Sequence, residues 1–276
     1  MKDYDHLPPV VRHLRQRWRT WRLSWRNARR AFRPGEVCYH LAIGRFGGCD
    51  MAYRRHTADE KVIAQSFDQD MFFAGLPEYQ PRPDHVICDI GAHIGAFTVL
   101  AARRVPQGRV YAIEASRETC DYLRINVALN HLTNVVTSHL ALMDRQGTVR
   151  LHHDDANWGH TVMRGLYPTG EDVPADTLAH YFLEQGIEHC DFMKFNCEGA
   201  EFPILLGTDA EVLRRIEFML ILFHCDLAKS YTVPALRAHL EQAGFHTLLR
   251  RCEEDRGWII ARRTVAPDPE TASVSR

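Results

Sequence analysis

Apolar and polar positions change rhythm twice along the chain. Val11, Leu14, Trp18, Trp21, Trp25, Ala28 and Phe32 alternate steps of three and four, drawing one stripe along a helix that Pro8-Pro9 open and Pro34-Gly35 end. VCYHLAIGRF then alternates as a strand does, and Gly47-Gly48 marks a turn. Thr57 with Glu60 forms a capping box ahead of a helix carrying Val62, Ile63, Phe67 and Met71. Pro77, Pro81 and Pro83 close this stretch and place a boundary just before His85.

From His85 the rhythm becomes alternating apolar runs and helical stretches. VICDI, RVYAIE, NVVTSHLAL, DFMKFN and FMLILFH are five strand candidates, with helices beginning near Ala96, Arg117 and Pro203. Runs this continuously apolar suit parallel strands covered on both faces, so the expected fold is α/β, a doubly wound Rossmann-like sheet with an N-terminal helical and β extension. The expected organisation is a basic amphipathic helix over residues 1–35, a connecting α/β region over 36–84, the main domain over 85–263 and a frayed tail over 264–276.

Composition narrows the class. With 276 residues, 45% hydrophobic content and a net charge of -1, the chain can bury one sizeable core. It has no run of the ~20 apolar residues that span a bilayer and no apolar leader at its N-terminus. Eight cysteines without a CxxC pair read as reduced thiols, and sixteen histidines show no HxxxH or HExxH spacing. A cytoplasmic protein is the expectation. The near-neutral total conceals the N-terminal stripe, where nine arginines fall between Asp5 and Glu36 without an acid. Such a helix packs on the main domain, pairs with a second copy or lies on an anionic membrane surface; nucleic acid is the least favoured partner.

Ligands of doubly wound sheets bind past the carboxyl ends of the strands. The first strand runs into a D-x-G-A-x-x-G turn, Asp89, Gly91, Ala92 and Gly95, followed by a helix whose N-terminus offers unpaired N–H groups. The second strand ends in Glu114, nineteen residues beyond Gly95, where a carboxylate can accept both hydrogens of a ribose diol. An NAD site fits less well, since G-x-G-x-x-G is absent and an acid precedes the first glycine.

CDIGAHIGAFT, YAIEASRETCDYLRINVALN, LALMDRQGTVRL, FMKFNCEGAEFPIL and LILFH together resemble, in order and spacing, the motifs of the FkbM-type methyltransferases, over roughly residues 57 to 250. That resemblance implies a class I fold, S-adenosylmethionine as cofactor and O-methylation of a hydroxyl on a sugar or other natural-product small molecule. It implies that Asp89, Gly91, Ala92 and Gly95 line the methionine side, with His93 a further cofactor contact, that Glu114 holds the ribose, and that Ala115, Ser116 and Leu142 bound the adenine. Three positions depart from the family pattern: His93 in place of Asn, Asn196 in place of Asp, and Leu222 where an acid commonly precedes the final histidine.

The acceptor side is sought at the ends of the later strands. An alcohol must lose its proton on the way to attack, so a general base is needed there. His224 and the turn from Asn196 to Glu201 are the candidates. Lys194, Asn196 and Glu198 fall on one side of a strand by period two, which suggests Glu198 as the partner of the Lys194 cation. Glu198 and Glu201 would share a face in a helical first turn, with Glu198 the better candidate for a direct role and Glu201 a further acceptor contact. Asn196 is a neutral and poorer ligand for a hard cation, so no metal is expected. Asn157, Trp158 and His160, in the loop between the third and fourth strand candidates, are further acceptor contacts. Alternatives are N-methylation of an amine or guanidine, with Glu198 and Glu201 orienting the nitrogen, or a donor-binding protein without turnover that docks through its basic arm.

Overall fold

The computed structural model describes residues 40–153, 160–163, 169–250, 253 and 255–264. The predicted N-terminal amphipathic helix, Asn157 and Trp158 lie outside the described residues. Among the described residues, no helix is long and apolar enough to cross a membrane.

The predicted strand after Val37 is the first arm of a hairpin, β1 (His40–Phe46) and β2 (Cys49–Arg55), turning at Gly47-Gly48. Thr57 caps the short helix α1 (Ala58–Ile63) by accepting from Asp59 N–H. The helix does not run on to Met71 as its apolar pattern suggests; it widens into a π-helical turn, Ala64–Asp68, in which Gln69 N–H bonds Ala64 C=O five residues back.

The main sheet follows from β3 (Val86–Ile90), α2 (Ala96–Arg104), β4 (Arg109–Glu114), α3 (Arg117–Leu129) and β5 (Val135–His139). Helical crossovers lay these three parallel strands side by side. The chain then leaves the sheet. β6 (Ala141–Met143), β7 (Gly147–His152) and β8 (Gly170–Thr177) form a separate three-stranded sheet in the order β6-β8-β7. The single apolar run NVVTSHLAL is thus two strands in two sheets, and Leu142 stands on the small sheet. After α4 (Leu178–Glu184), the chain returns through β9 (Phe192–Phe195), α5 (Glu201–Leu206), α6 (Ala210–Leu213), β10 (Phe218–His224), α7 (Val233–Gln242), β11 (Phe245–Arg250) and β12 (Arg256–Arg263).

The large sheet has seven strands in the order β11-β12-β10-β9-β3-β4-β5, with β12 antiparallel to both neighbours. Strand order reverses between β3 and β9, which opens a crevice at their carboxyl ends. Strands β9 and β10 are apolar almost throughout, FMKF and FMLILFH, because both faces are covered. The segment before His85 is packed into this body. Asn126 of α3 accepts from Ala52 N–H at 2.6 Å and donates to Ala52 C=O and Ile94 C=O, stapling the hairpin to the helix and to the glycine turn. Arg54 is fully buried and meets both carboxylate oxygens of Asp59 at 2.9 Å.

Candidate active site

A cleft of about 170 Å³ lies across the carboxyl ends of β4, β3, β9 and β10, roofed by α1, the π-helical turn and the small sheet. Of the residues expected on the donor side, Gly91, Ala92, His93, Glu114, Ala115 and Leu142 line it. Gly91 has φ +75°, and a Cβ there would sit 2.0 Å from Asn196 C=O, so only glycine lets the β3 and β9 ends meet. Glu114 ends β4 with its carboxylate held by two backbone donors, His93 N–H at 2.8 Å and Ser116 N–H at 2.9 Å. Burial raises its pKa, and those two hydrogen bonds oppose the rise. His93 sits at φ +54° with Nε2 3.6 Å from the buried Asp59.

Asp89, Gly95 and Ser116 do not line the cleft. Gly95, at φ +84°, precedes α2 with Leu123 filling the space a Cβ would need, and the Ser116 hydroxyl caps α3 at Thr119 N–H. Asp89 is fully buried, accepting from Lys194 Nζ at 2.7 Å and from Thr98 Oγ at 2.6 Å. The expected partner of Lys194, Glu198, is therefore corrected to Asp89. Asp89 and Lys194 are register partners on adjacent parallel strands, a cross-strand contact that the period of one strand cannot show.

On the other side, the cleft is lined by Lys194, Asn196, Glu198, His224 and, from the loop, His160. Glu198 and Glu201 do not share a helical face. Glu198 sits in the turn at φ +49°, and α5 begins only at Glu201. They meet instead through His224, which is 1% exposed. Glu201 Oε1 accepts from His224 N–H at 2.7 Å and lies 3.0 Å from Nδ1, while Glu198 Oε2 lies 3.5 Å from Nε2. Glu201 Oε2 accepts from Gly199 N–H at 3.0 Å. Glu201 is fully buried and absent from the cleft wall, which corrects the expectation that it touches the acceptor; it positions His224. Burial works to lower the His224 pKa, but the Glu201 hydrogen bond and the charges of Glu201 and Glu198 outweigh it and hold it above the ordinary value. Burial raises Glu198, opposed by the His224 and Arg256 cations. The arrangement is an acid–imidazole–acid row whose outer carboxylate reaches the cleft.

Sequence reasoning missed several cleft residues, and three of them are polar or aromatic groups with chemistry to offer. Arg256 and Trp258 lie on β12, in register with His224 and Leu222 respectively. Arg256 is bound to Asp226 at 3.1 and 2.7 Å, with Nη1 4.0 Å from Glu198. Their spacing of two in RGW was the available signal. The third, Ser66, lies in the π-helical turn, which no local pattern announces. Asn196 turns its Oδ1 to a buried position with no hydrogen-bond partner among the described residues. Among the described residues, no group of three or more His, Cys, Asp or Glu side chains is gathered to hold a metal ion.

Sequence comparison matches residues 89–247 to the methyltransferase FkbM domain. Methyltransferase sdnD of Sordaria araneosa is 26% identical over 246 residues, covering 76% of this chain and 89% of that protein. The 31-O-demethyl-FK506 methyltransferase FkbM of Streptomyces tacrolimicus is 27% identical over 190 residues, covering 57% of this chain and 73% of that one. Among solved structures, the precorrin-6y C5,15-methyltransferase of Geobacter metallireducens aligns with a TM-score of 0.45 at 16% identity, over 76% of this chain and 91% of that one. Because the domain match spans more than half of the 276 residues, this chain belongs to the FkbM family and is an S-adenosylmethionine-dependent methyltransferase.

Proposed function

We propose that the enzyme methylates a hydroxyl group on a sugar or natural-product small molecule, with Glu198 taking the hydroxyl proton and His224 standing behind it. The observation that carries this reading is the Glu201–His224–Glu198 row at the cleft wall. S-adenosylmethionine, when bound, supplies a methyl group already activated on a sulfonium. What remains for the protein is to place the acceptor oxygen in line and remove its proton.

The residues of the β4 side fit the donor. The Glu114 carboxylate, fixed by two backbone N–H groups, would hold the ribose diol. Ala115 and Leu142 offer apolar surface to the adenine, and the Gly91–His93 backbone borders the amino-acid end. On the acceptor side, a carboxylate raised by burial is a stronger base than an exposed glutamate, and it lines the cleft together with His224, the less exposed of the two. Glu201 fixes the ring of His224 through Nδ1 and its backbone N–H.

Transfer to oxygen is supported by the relative named for 31-O-demethyl-FK506. The test is incubation with isotope-labelled donor and a panel of hydroxylated compounds beside their amine counterparts, with products read by NMR. Methyl ethers are expected; label found only on nitrogen would overturn the reading. The chemistry of the ligands also favours transfer without a carboxylate-held metal: Asn196 is neutral, and both oxygens of Asp89 are committed to Lys194 and Thr98. Turnover is expected to survive EDTA, and activity lost to EDTA and restored by Mg²⁺ would contradict this part.

A further inference from the structure

The cleft has a donor side and an acceptor side, and the part of its wall that carries Ser66 has no assignment. Glu114, Ala115 and Leu142 serve the ribose and adenine, while Glu198 and His224 face the acceptor. Ser66, from the π-helical turn, lines the same cleft as Phe72, His93 and Lys194. The amino-acid end of the donor, bordered by the Gly91–His93 backbone, has these groups left to meet.

Two observations show that this part awaits a polar ligand. Ser66 is fully buried, and its hydroxyl has no hydrogen-bond partner among the described residues. A buried unpaired hydroxyl is costly and is seldom kept without a use. It stands in a π-helical turn, a distortion that is itself concentrated at functional sites. On the same cleft, Lys194 directs one N–H to Asp89 and another to Gly91 C=O, and its ammonium carries a third. Nζ lies 5.8 Å from the Phe72 ring and 5.6 Å from the Phe97 ring, both of which also line the cleft. A hydroxyl donor and an ammonium on the wall of one cleft suit a carboxylate.

We propose that Ser66 is a donor-binding residue whose hydroxyl donates a hydrogen bond to the amino-acid carboxylate of S-adenosylmethionine, beside Lys194. Ser66 precedes the matched domain at residues 89–247, so the segment ahead of that domain completes the donor site. The inference rests on the placement of the donor given above.

The test uses two ligands that share adenine and ribose: S-adenosylhomocysteine, which keeps the amino-acid end, and 5′-methylthioadenosine, which lacks it. Calorimetry on the full chain compares the wild type with Ser66→Ala. A lost hydrogen bond to a charged group corresponds to roughly tenfold to hundredfold weaker binding, so S-adenosylhomocysteine affinity should fall by that factor while methylthioadenosine affinity stays unchanged. The ligand-free variant should unfold at the same or a higher temperature, because the substitution removes an unpaired buried hydroxyl and alanine is the better helix former. Unchanged affinity for S-adenosylhomocysteine, or equal losses for both ligands, would overturn the role of Ser66 and leave the donor site standing. A wild-type protein that binds neither ligand would remove the donor placement itself.

Discussion

Asp89 with Lys194 and Glu201 with His224 are two buried acid–cation pairs on one sheet, set by the same kind of contact and used differently. Asp89 spends both oxygens inside the protein, on Lys194 and Thr98, and stays out of the cleft. Glu201 likewise spends its oxygens inside, yet the imidazole it holds touches a second carboxylate, Glu198, that reaches the cleft. One pair is closed on its acid side, ties β3 to β9 and leaves only the Lys194 ammonium bordering the cleft; the other is open through Glu198 and can pass on a charge. Burial alone therefore does not mark a working group. What separates the pairs is the group they present to the cavity: the Lys194 cation in one, the Glu198 carboxylate in the other.

The closed pair should show itself in stability. Asp89→Ala strands the Lys194 ammonium in a site 4% exposed, and removing one partner of a buried pair costs about 3–5 kcal/mol. Urea unfolding should register that loss, the largest expected here. A loss below about 1 kcal/mol, within the range of exposed pairs, would mean that the pair contributes no more than a surface one.

Glu198→Gln addresses the open pair and should leave stability nearly unchanged. Its effect belongs in turnover, which should fall by about 10²–10⁴-fold, the usual worth of a general base, while S-adenosylhomocysteine affinity holds. If turnover and donor affinity fell together, Glu198 would belong to the donor site instead.

The two ends of the cleft were unequally legible in the sequence. The donor end is local: a strand, a small-residue turn and a helix lie within the stretch from Val86 to Arg104, and Glu114 ends the next strand. Its elements are readable because their period and their caps lie in consecutive residues. The acceptor end is assembled by register. Lys194 finds Asp89 across 105 positions, and Glu201 finds His224 across 23, which no single-strand period encodes. Arg256 and Trp258 depend on β12 running antiparallel beside β10, and the small sheet depends on a break at Leu140 inside what reads as one apolar run. The hairpin partner β2 was missed for the same reason: CDMAYRR shows its role only beside β1.

The smallest expected effect concerns pH. His224 is held above its ordinary pKa, so the folded protein binds its proton more tightly than the unfolded chain. A raised pKa contributes stability that is fully present below the unfolded value, about 6.5 for histidine, and disappears as pH rises through the folded value. The Glu201–His224 contact should therefore make the protein less stable as pH climbs above about 6.5, with the slope set by this one proton. Glu201→Gln removes the carboxylate that raises His224, and the variant's unfolding midpoint should be flatter with pH over that window. Other titrating groups are common to both proteins and cancel in the difference. Parallel pH profiles for wild type and variant would show that His224 is not charged by Glu201, and the open pair would then be a neutral hydrogen bond with no charge to pass to Glu198.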